Sequence, residues 1–314
     1  MNFTEKVKAE ITENGVNGLD EATACLSAYV HLRGALCRSR YGMGFEFSCD
    51  NEEVINYIVD LFNTYYGTNI SELDVDEDRL NNSDKFTGSC TFRNATDILA
   101  DLGCVSKDND SFTLINGVPD FLLVNDDMKK AYLKGAILGG GNMTLPNDDG
   151  SKTGYHFEIV TVHRETALGL SELTAYFDII TKIVKRKEMY AVYLKNSEDI
   201  KDLLALLGLN KCVLEITDLM CFKEFSSNVN RQRNCDLGNL NKQVDAVERQ
   251  INAFSVIRDT IGTDGLDKTL VDVMEAREKY REDTLSELAE RLNITKSCLN
   301  HRLRKIMTIA DNLK

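Results

Sequence analysis

Two short helical stripes near the C-terminus carry the clearest pattern in the chain. Leu285, Leu288, Ala289 and Leu292 recur at intervals of three and four, which sets them on one side of a helix. Thr284 and Glu287 stand at capping-box spacing, so that helix is predicted to begin at Thr284. Asn293 tolerates the left-handed backbone of a sharp turn, and Ile294 can plug the angle between two helices. Thr295 then caps a second helix with the apolar stripe Leu299, Leu303, Ile306 and Ala310. Residues 284–306 read as a helix-turn-helix.

Upstream, the periodicity switches between helix and strand, and it does so twice in the same order. After a short amphipathic helix carrying Phe3, Val7 and Ile11, a helix is predicted over Ala22–Cys37, followed by the alternating strand GFEFSCD. A helix through Asn51–Tyr65, a strand around Ser89–Phe92 and the helix ATDILADLG complete the first unit. The second has a helix over Asp127–Gly139, the strand YHFEIVTV, a helix over Glu165–Thr181, the strand MYAVYLK and the helix EDIKDLLALLG. HLRGAL matches YLKGAI and DILADLG matches DLLALLG about a hundred residues later, which is duplication at domain scale. The repeats cover about 21–106 and 127–210, with a hairpin and linker expected over Lys107–Asn125. Beyond about Glu215 the pattern is all helical: Asn228–Phe254, a break at Thr260–Asp264, then Lys268–Tyr280. The expected division is a duplicated α+β domain, 1–215, and an all-α domain, 216–314.

Composition adds limits. The 314 residues are 43% hydrophobic and 28% charged, ordinary for a globular chain long enough for two cores. The net charge of −13 confines any nucleic-acid contact to a local surface. The nine cysteines form no C-x-x-C pair, so they read as reduced, buried thiols, Cys235 among them. Gly139-Gly140-Gly141 lacks the Gly-Lys-Ser/Thr of a phosphate loop and reads as a helix terminus. The N-terminus does not resemble a signal peptide, and no apolar run is long enough to span a membrane. A cytoplasmic, nucleoid-associated protein is expected, with no cofactor, metal, membrane or evident small-molecule ligand.

Against that acidic background, Leu292–Met307 contains no acid while holding Lys296, His301, Arg302, Arg304 and Lys305. Ser297, Asn300, His301 and Arg304 fall at i, i+3, i+4 and i+7 and line one helix face. Arg can grip guanine and Asn adenine bidentately, so these four are the base-reading candidates. Lys296, Arg302 and Lys305 flank them as phosphate candidates. A solvated amphipathic helix in a protein-docking module is the alternative, and the charge segregation favours double-stranded DNA.

The stretch LKGAILGGG, Leu133–Gly141, has the spacing of the LAGLIDADG motif of homing endonucleases, and LRGALCRSR, Leu32–Arg40, stands as its equivalent in the first repeat. That resemblance implies two helices packed through Gly34 and Ala35 against Gly135 and Ala136. It also implies a metal-binding carboxylate at each helix foot. This sequence has Ser39 and Gly140 there, so the fold is expected to be kept and the nuclease lost; Asp148 and Asp149 read as loop acids. With SSNVNRQRNCDLGNLNKQVDA (Ser226–Ala246), TKSCLNHRLRKI (Thr295–Ile306) and the opening MNFTEKVKAE, the whole chain resembles the WhiA family of bacterial transcription regulators.

That resemblance puts Asn230, Arg231, Asn234, Cys235, Asn239, Asn241 and Lys242 in the family's signature helix. Arg231, Arg233 and Lys242 are further phosphate candidates. It implies a role in sporulation, cell division or chromosome segregation, and RNA polymerase or another transcription regulator as protein partner. In the first domain, Lys182, Lys185, Arg186, Lys187 and Lys195 suit a DNA backbone. Glu72, Asp74, Asp76, Glu77 and Asp78 repel one, so that domain is expected to give weak phosphate contacts or a protein surface. The rival reading is a DNA endonuclease or RNA maturase on the homing-endonuclease fold, which the missing carboxylates disfavour.

Overall fold

A computed structural model describes residues 1–39, 42–70, 73–78, 83–108, 111–146 and 154–313. The chain divides into two compact units, Met1–Cys221 and Phe222–Lys314.

The first unit begins with α1 (Phe3–Asn14), α2 (Gly18–Arg33), β1 (Gly34–Ser39) and β2 (Gly42–Cys49). It continues through α3 (Glu52–Tyr66), β3 (Asp74–Asp78), β4 (Ser83–Cys90) and α4 (Ala95–Asp101). The hairpin β5 (Val105–Asp108) and β6 (Ser111–Leu114) and a 3-10 turn at Asp120–Leu122 lead to the second repeat. That repeat has α5 (Asp126–Gly140), β7 (Gly141–Thr144), β8 (His156–Thr161) and α6 (Arg164–Tyr176). It ends with β9 (Lys182–Arg186), β10 (Met189–Leu194) and α7 (Ser197–Leu206). Each repeat is thus αββαββα. Each builds an antiparallel sheet of the same order, β1-β2-β4-β3 in the first and β7-β8-β10-β9 in the second.

The two repeats share one core whose axis is the pair α2 and α5. Both helices are buried nearly all round, α2 from Ala22 to Val30 and α5 at nine positions from Met128 to Gly139. Gly135 lies so close to the α2 backbone that a Cβ there would overlap the Cys25 carbonyl, and Gly139 packs on Tyr29 and Leu32. Sheet residues Phe45, Phe47, Phe157, Ile159 and Val192 face this pair and close the core.

Several sequence expectations change here. The first-repeat helix stops at Arg33, not Cys37, and Gly34 begins β1. Gly34 and Gly141 play the same part: each caps its helix in extended backbone, donating to the Val30 and Ile137 carbonyls. That pairs Gly34 with Gly141 rather than with Gly135, a register shift of six residues. The helix–helix contact therefore runs through Cys25 and Gly135, not Gly34 and Ala35. Helix α6 ends at Tyr176 because Asp178 turns left-handed (φ 61) and Ile179 N–H closes back on the Thr174 carbonyl. The strand expected around Ser89–Phe92 is the end of the longer β4. Asp148 and Asp149 lie outside the described residues.

The second unit takes up within α8 (Asn210–Thr260), of which residues 210–221 belong to the first. Then come α9 (Lys268–Lys279), α10 (Leu285–Arg291) and α11 (Lys296–Asn312). Its core joins Phe254 and Ile257 of α8, Val273 and Met274 of α9, Leu288 of α10 and Leu299, Leu303 and Ile306 of α11.

The start of α8 has an unusual cap. Glu10 of α1 is only 5% exposed, and its two oxygens accept from Lys211 N–H (2.8 Å) and Cys212 N–H (2.9 Å). A buried carboxylate at a helix N-terminus satisfies orphan donors and complements the dipole. Glu10→Ala should destabilise the first unit by about 1–3 kcal/mol, since it strands the buried Cys212 N–H and the part-buried Lys211 N–H. Urea unfolding monitored on that unit checks it; an unchanged midpoint would refute the cap.

Candidate nucleic-acid interface

The helix-turn-helix is held at each joint by local bonds. Thr284 N–H donates to Glu287 Oε2 (2.7 Å) and Glu287 N–H to Thr284 Oγ1 (3.3 Å), the capping box expected from sequence. Upstream, the Arg277 guanidinium, buried in the core, donates to the Asp283 carbonyl at 2.7 Å. Arg291 Nε donates to Asp283 Oδ2 at 2.5 Å while its guanidinium lies over the Tyr280 ring at 4.2 Å. These contacts fix the entry into α10. Sequence reading missed Arg277, because a lone Arg in a polar helix gives no sign of burial.

Asn293 makes the turn at φ 50, and Ile294 is half-buried against the core. Thr295 Oγ1 accepts from Cys298 N–H at 3.2 Å and starts α11. Leu299, Leu303, Ile306 and Ala310 are all buried, so the opposite face of α11 is fixed outward. On that side Ser297, His301 and Arg304 are exposed and Asn300 is half-buried; Lys296 and Lys305 flank them, also exposed. Arg302 differs. It is half-buried and its Nη1 reaches back 3.5 Å to the Thr269 carbonyl at the start of α9. Asp267, which caps α9, is held below the usual carboxylate range by the Thr269 N–H and hydroxyl, with Lys305 and Arg302 adding to the effect. Arg302 therefore also braces α11 against α9.

The cations of the signature helix do not share one surface. Arg231 and Lys242 are exposed and eleven residues apart, three turns of α8, so they stand on one face. Arg233 falls on the other side, in line with Val229, Leu237 and Leu240. Cys235, expected to be buried, is exposed, as is every residue from 228 to 242, and Cys221 is exposed as well.

In the first unit the two sheets present unlike open faces. Cross-strand pairing sets Lys182 opposite Tyr193, with Glu158 on the far side of Tyr193, and Arg186 opposite Met189. Lys185 pairs with Tyr190 and so belongs to the helix-packed face. Lys195 sits over the Tyr193 ring at 5.5 Å. Burial would raise the Glu158 carboxyl, but the His156 hydrogen bond (3.0 Å) and Arg186 (2.8 Å) outweigh it and hold it low. In the first repeat the matching face carries Glu46 and Asp74 against Lys85. One half of the surface suits phosphate and the other does not.

The foot of the central helix pair also needs correction. Ser39 lies in β1, paired with Gly42, so it is not the counterpart of Gly140. The residue before the capping glycine in the first repeat is Arg33, and its Nε donates to the Gly139 carbonyl at the end of α5. The feet thus hold an arginine and a glycine: a fixed cation, and no side chain. Neither can ligate a hard divalent cation. Among the described residues no cluster of three His, Cys, Asp or Glu could hold a metal, and no described helix is long and apolar enough to cross a membrane.

Residues 229–310 match the WhiA C-terminal HTH domain, and residues 24–77 and 129–226 match the WhiA LAGLIDADG-like domain. A Clostridium botulinum protein named probable cell division protein WhiA is 33% identical over 317 residues, 100% of this chain and 99% of its own. An Alkaliphilus metalliredigens protein of the same name is 43% identical over 219 residues, covering 69% of this chain and 68% of that one. The full-length DUF199/WhiA crystal structure from Thermatoga maritima superposes with a TM-score of 0.60 at 23% identity, covering 99% of each chain, which shows a shared fold. The fold is α+β, a duplicated LAGLIDADG homing-endonuclease-like domain followed by an all-α helix-turn-helix domain. With its helix feet degenerate and its relatives matched end to end, the chain belongs to the WhiA family.

Proposed function

We propose that the protein is a sequence-specific, non-cleaving DNA-binding regulator of transcription that reads bases with α11. The observation that carries this reading is the outward face of α11: Ser297, Asn300, His301 and Arg304 set by a buried stripe, with no acid from Leu292 to Met307. Lys296 and Lys305 serve phosphates, as do Arg231 and Lys242. Arg302 and Arg233 contribute less, since one is turned toward α9 and the other lies among apolar neighbours. The relatives' name supports a role in cell division; transcription of division or sporulation genes, with RNA polymerase or another regulator as partner, fits a reading head of this kind. The first unit adds weak backbone contacts through Lys182, Arg186 and Lys195.

Titration of the full chain against genomic fragments in Mg²⁺ tests the proposal. Sequence-selective retention of intact DNA is expected, and Lys305→Ala should weaken binding to every fragment while lowering the salt slope by about one. Cut fragments would restore the nuclease reading. Failure to retain any fragment at low salt would make α11 a protein-docking helix.

A further inference from the structure

We propose that the exposed apolar face of α8 between Phe222 and Val244 pairs antiparallel with the same face of a second copy of this chain. Phe222, Phe225, Val229, Leu237, Leu240 and Val244 are 48% to 69% exposed, too much apolar surface on one helix stripe to be incidental. The positions 225, 229, 233, 236, 240 and 244 advance by three or four residues at each step and keep to one face, with Phe222 one turn before Phe225 and Leu237 one turn after Arg233 on its edge. The steps run four, four, three, four, four, the same in either direction. Their near eleven-residue repeat stays in phase along an almost straight helix, so two such helices can lie side by side over this length.

That symmetry selects the occupant. When the face meets its own copy head to tail, Phe225 stands opposite Val244 and Val229 opposite Leu240. The two charged positions of the stripe, Arg233 and Asp236, then fall opposite each other, twice across the twofold axis. Along the flanks Asn230 comes opposite Asn239, and Asn228 opposite Asn241. Parallel pairing would set Arg233 against Arg233 and Asp236 against Asp236, which is repulsive. In its own chain Asp236 accepts only from Gln232, one turn earlier on the same helix (3.0 Å), among the hydrogen bonds of the described residues. The run stops near Val247, which is already buried. The proposal stands on α8 alone and does not require DNA as the ligand of α11. Should both hold, a pair of chains offers two reading heads to DNA with inverted half-sites.

Sedimentation velocity of the full chain over a concentration series tests the pairing. Wild type is expected to interconvert between monomer and dimer. Arg233→Glu puts two like-charge contacts in place of two ion pairs and should raise the dimer dissociation constant about tenfold or more. Arg233→Glu with Asp236→Arg returns opposite charges to each contact and should restore dimerisation, which misfolding could not do. A monomer at the highest soluble concentration overturns the proposal. So does a dimer indifferent to Arg233→Glu, or a double variant that stays dissociated.

Discussion

Replacing Asn300 and Arg304 together by alanine is expected to leave the protein folded and able to bind DNA, but unable to choose a site. Arg304 is exposed and Asn300 half-buried on the outward face, and neither belongs to the stripe that fixes α11 in its core. Each bidentate pair with a base edge is worth about 1–3 kcal/mol of discrimination. The pair together then contributes about 2–6 kcal/mol, roughly 30-fold to 10⁴-fold in preference for operator over random DNA. Because they are one turn apart on the same helix face, the double loss need not equal the sum of the singles. Binding to random DNA should fall much less than this, since Lys296 and Lys305 remain. Competition titrations of operator against random duplex at fixed salt give the ratio directly. A preserved ratio would mean that α11 does not read bases.

The second large effect concerns the first unit. Gly135→Leu should cost about 3 kcal/mol or more, at or beyond the top of the usual range for overpacking. The obstacle is the Cys25 carbonyl on the partner helix, which is backbone and cannot rotate away. Even Gly135→Ala should destabilise, although alanine gains about 1 kcal/mol of helix propensity over glycine. Gly238 supplies the control. It also sits inside a helix, with open space around its would-be Cβ, so Gly238→Ala should stabilise by about 1 kcal/mol or slightly less. Thermal or urea unfolding of the two alanine variants should move in opposite directions. Stabilisation by both would contradict the close approach of α2 and α5.

The helix-turn-helix was legible in detail because its determinants are local. Thr284, Glu287, Asn293 and Thr295 act on backbone within three residues, and the stripes of α10 and α11 face one small core. The duplication was also readable as helix-strand-helix-strand-helix in each repeat, since each helix and each central strand has its own period, while the flanking strands β1, β3, β7 and β9 were not. Errors arose where local patterns compete. HLRGAL resembles YLKGAI closely enough to align, yet the packing matches Gly34 with Gly141, because both begin a strand straight after their helix. Strand β7 has only four residues, β1 (GALCRS) runs Ala35, Leu36 and Cys37 together without alternation, and β9 (KIVKR) is largely exposed. This is why the sequence alone sets Ser39 at a helix foot and does not mark Arg33. Arg302 shows another limit: its reach to Thr269 depends on a helix more than thirty residues away. Arg233 likewise looks like a phosphate ligand by residue type, and only its place on the α8 stripe argues otherwise.

Selection from a randomised duplex pool, run in parallel with wild type and with the Asn300→Ala, Arg304→Ala variant, tests the central claim most directly. Wild type should enrich a defined motif, while the variant should recover DNA without one or with its central base pairs relaxed. The same motif from both proteins would contradict base reading by α11.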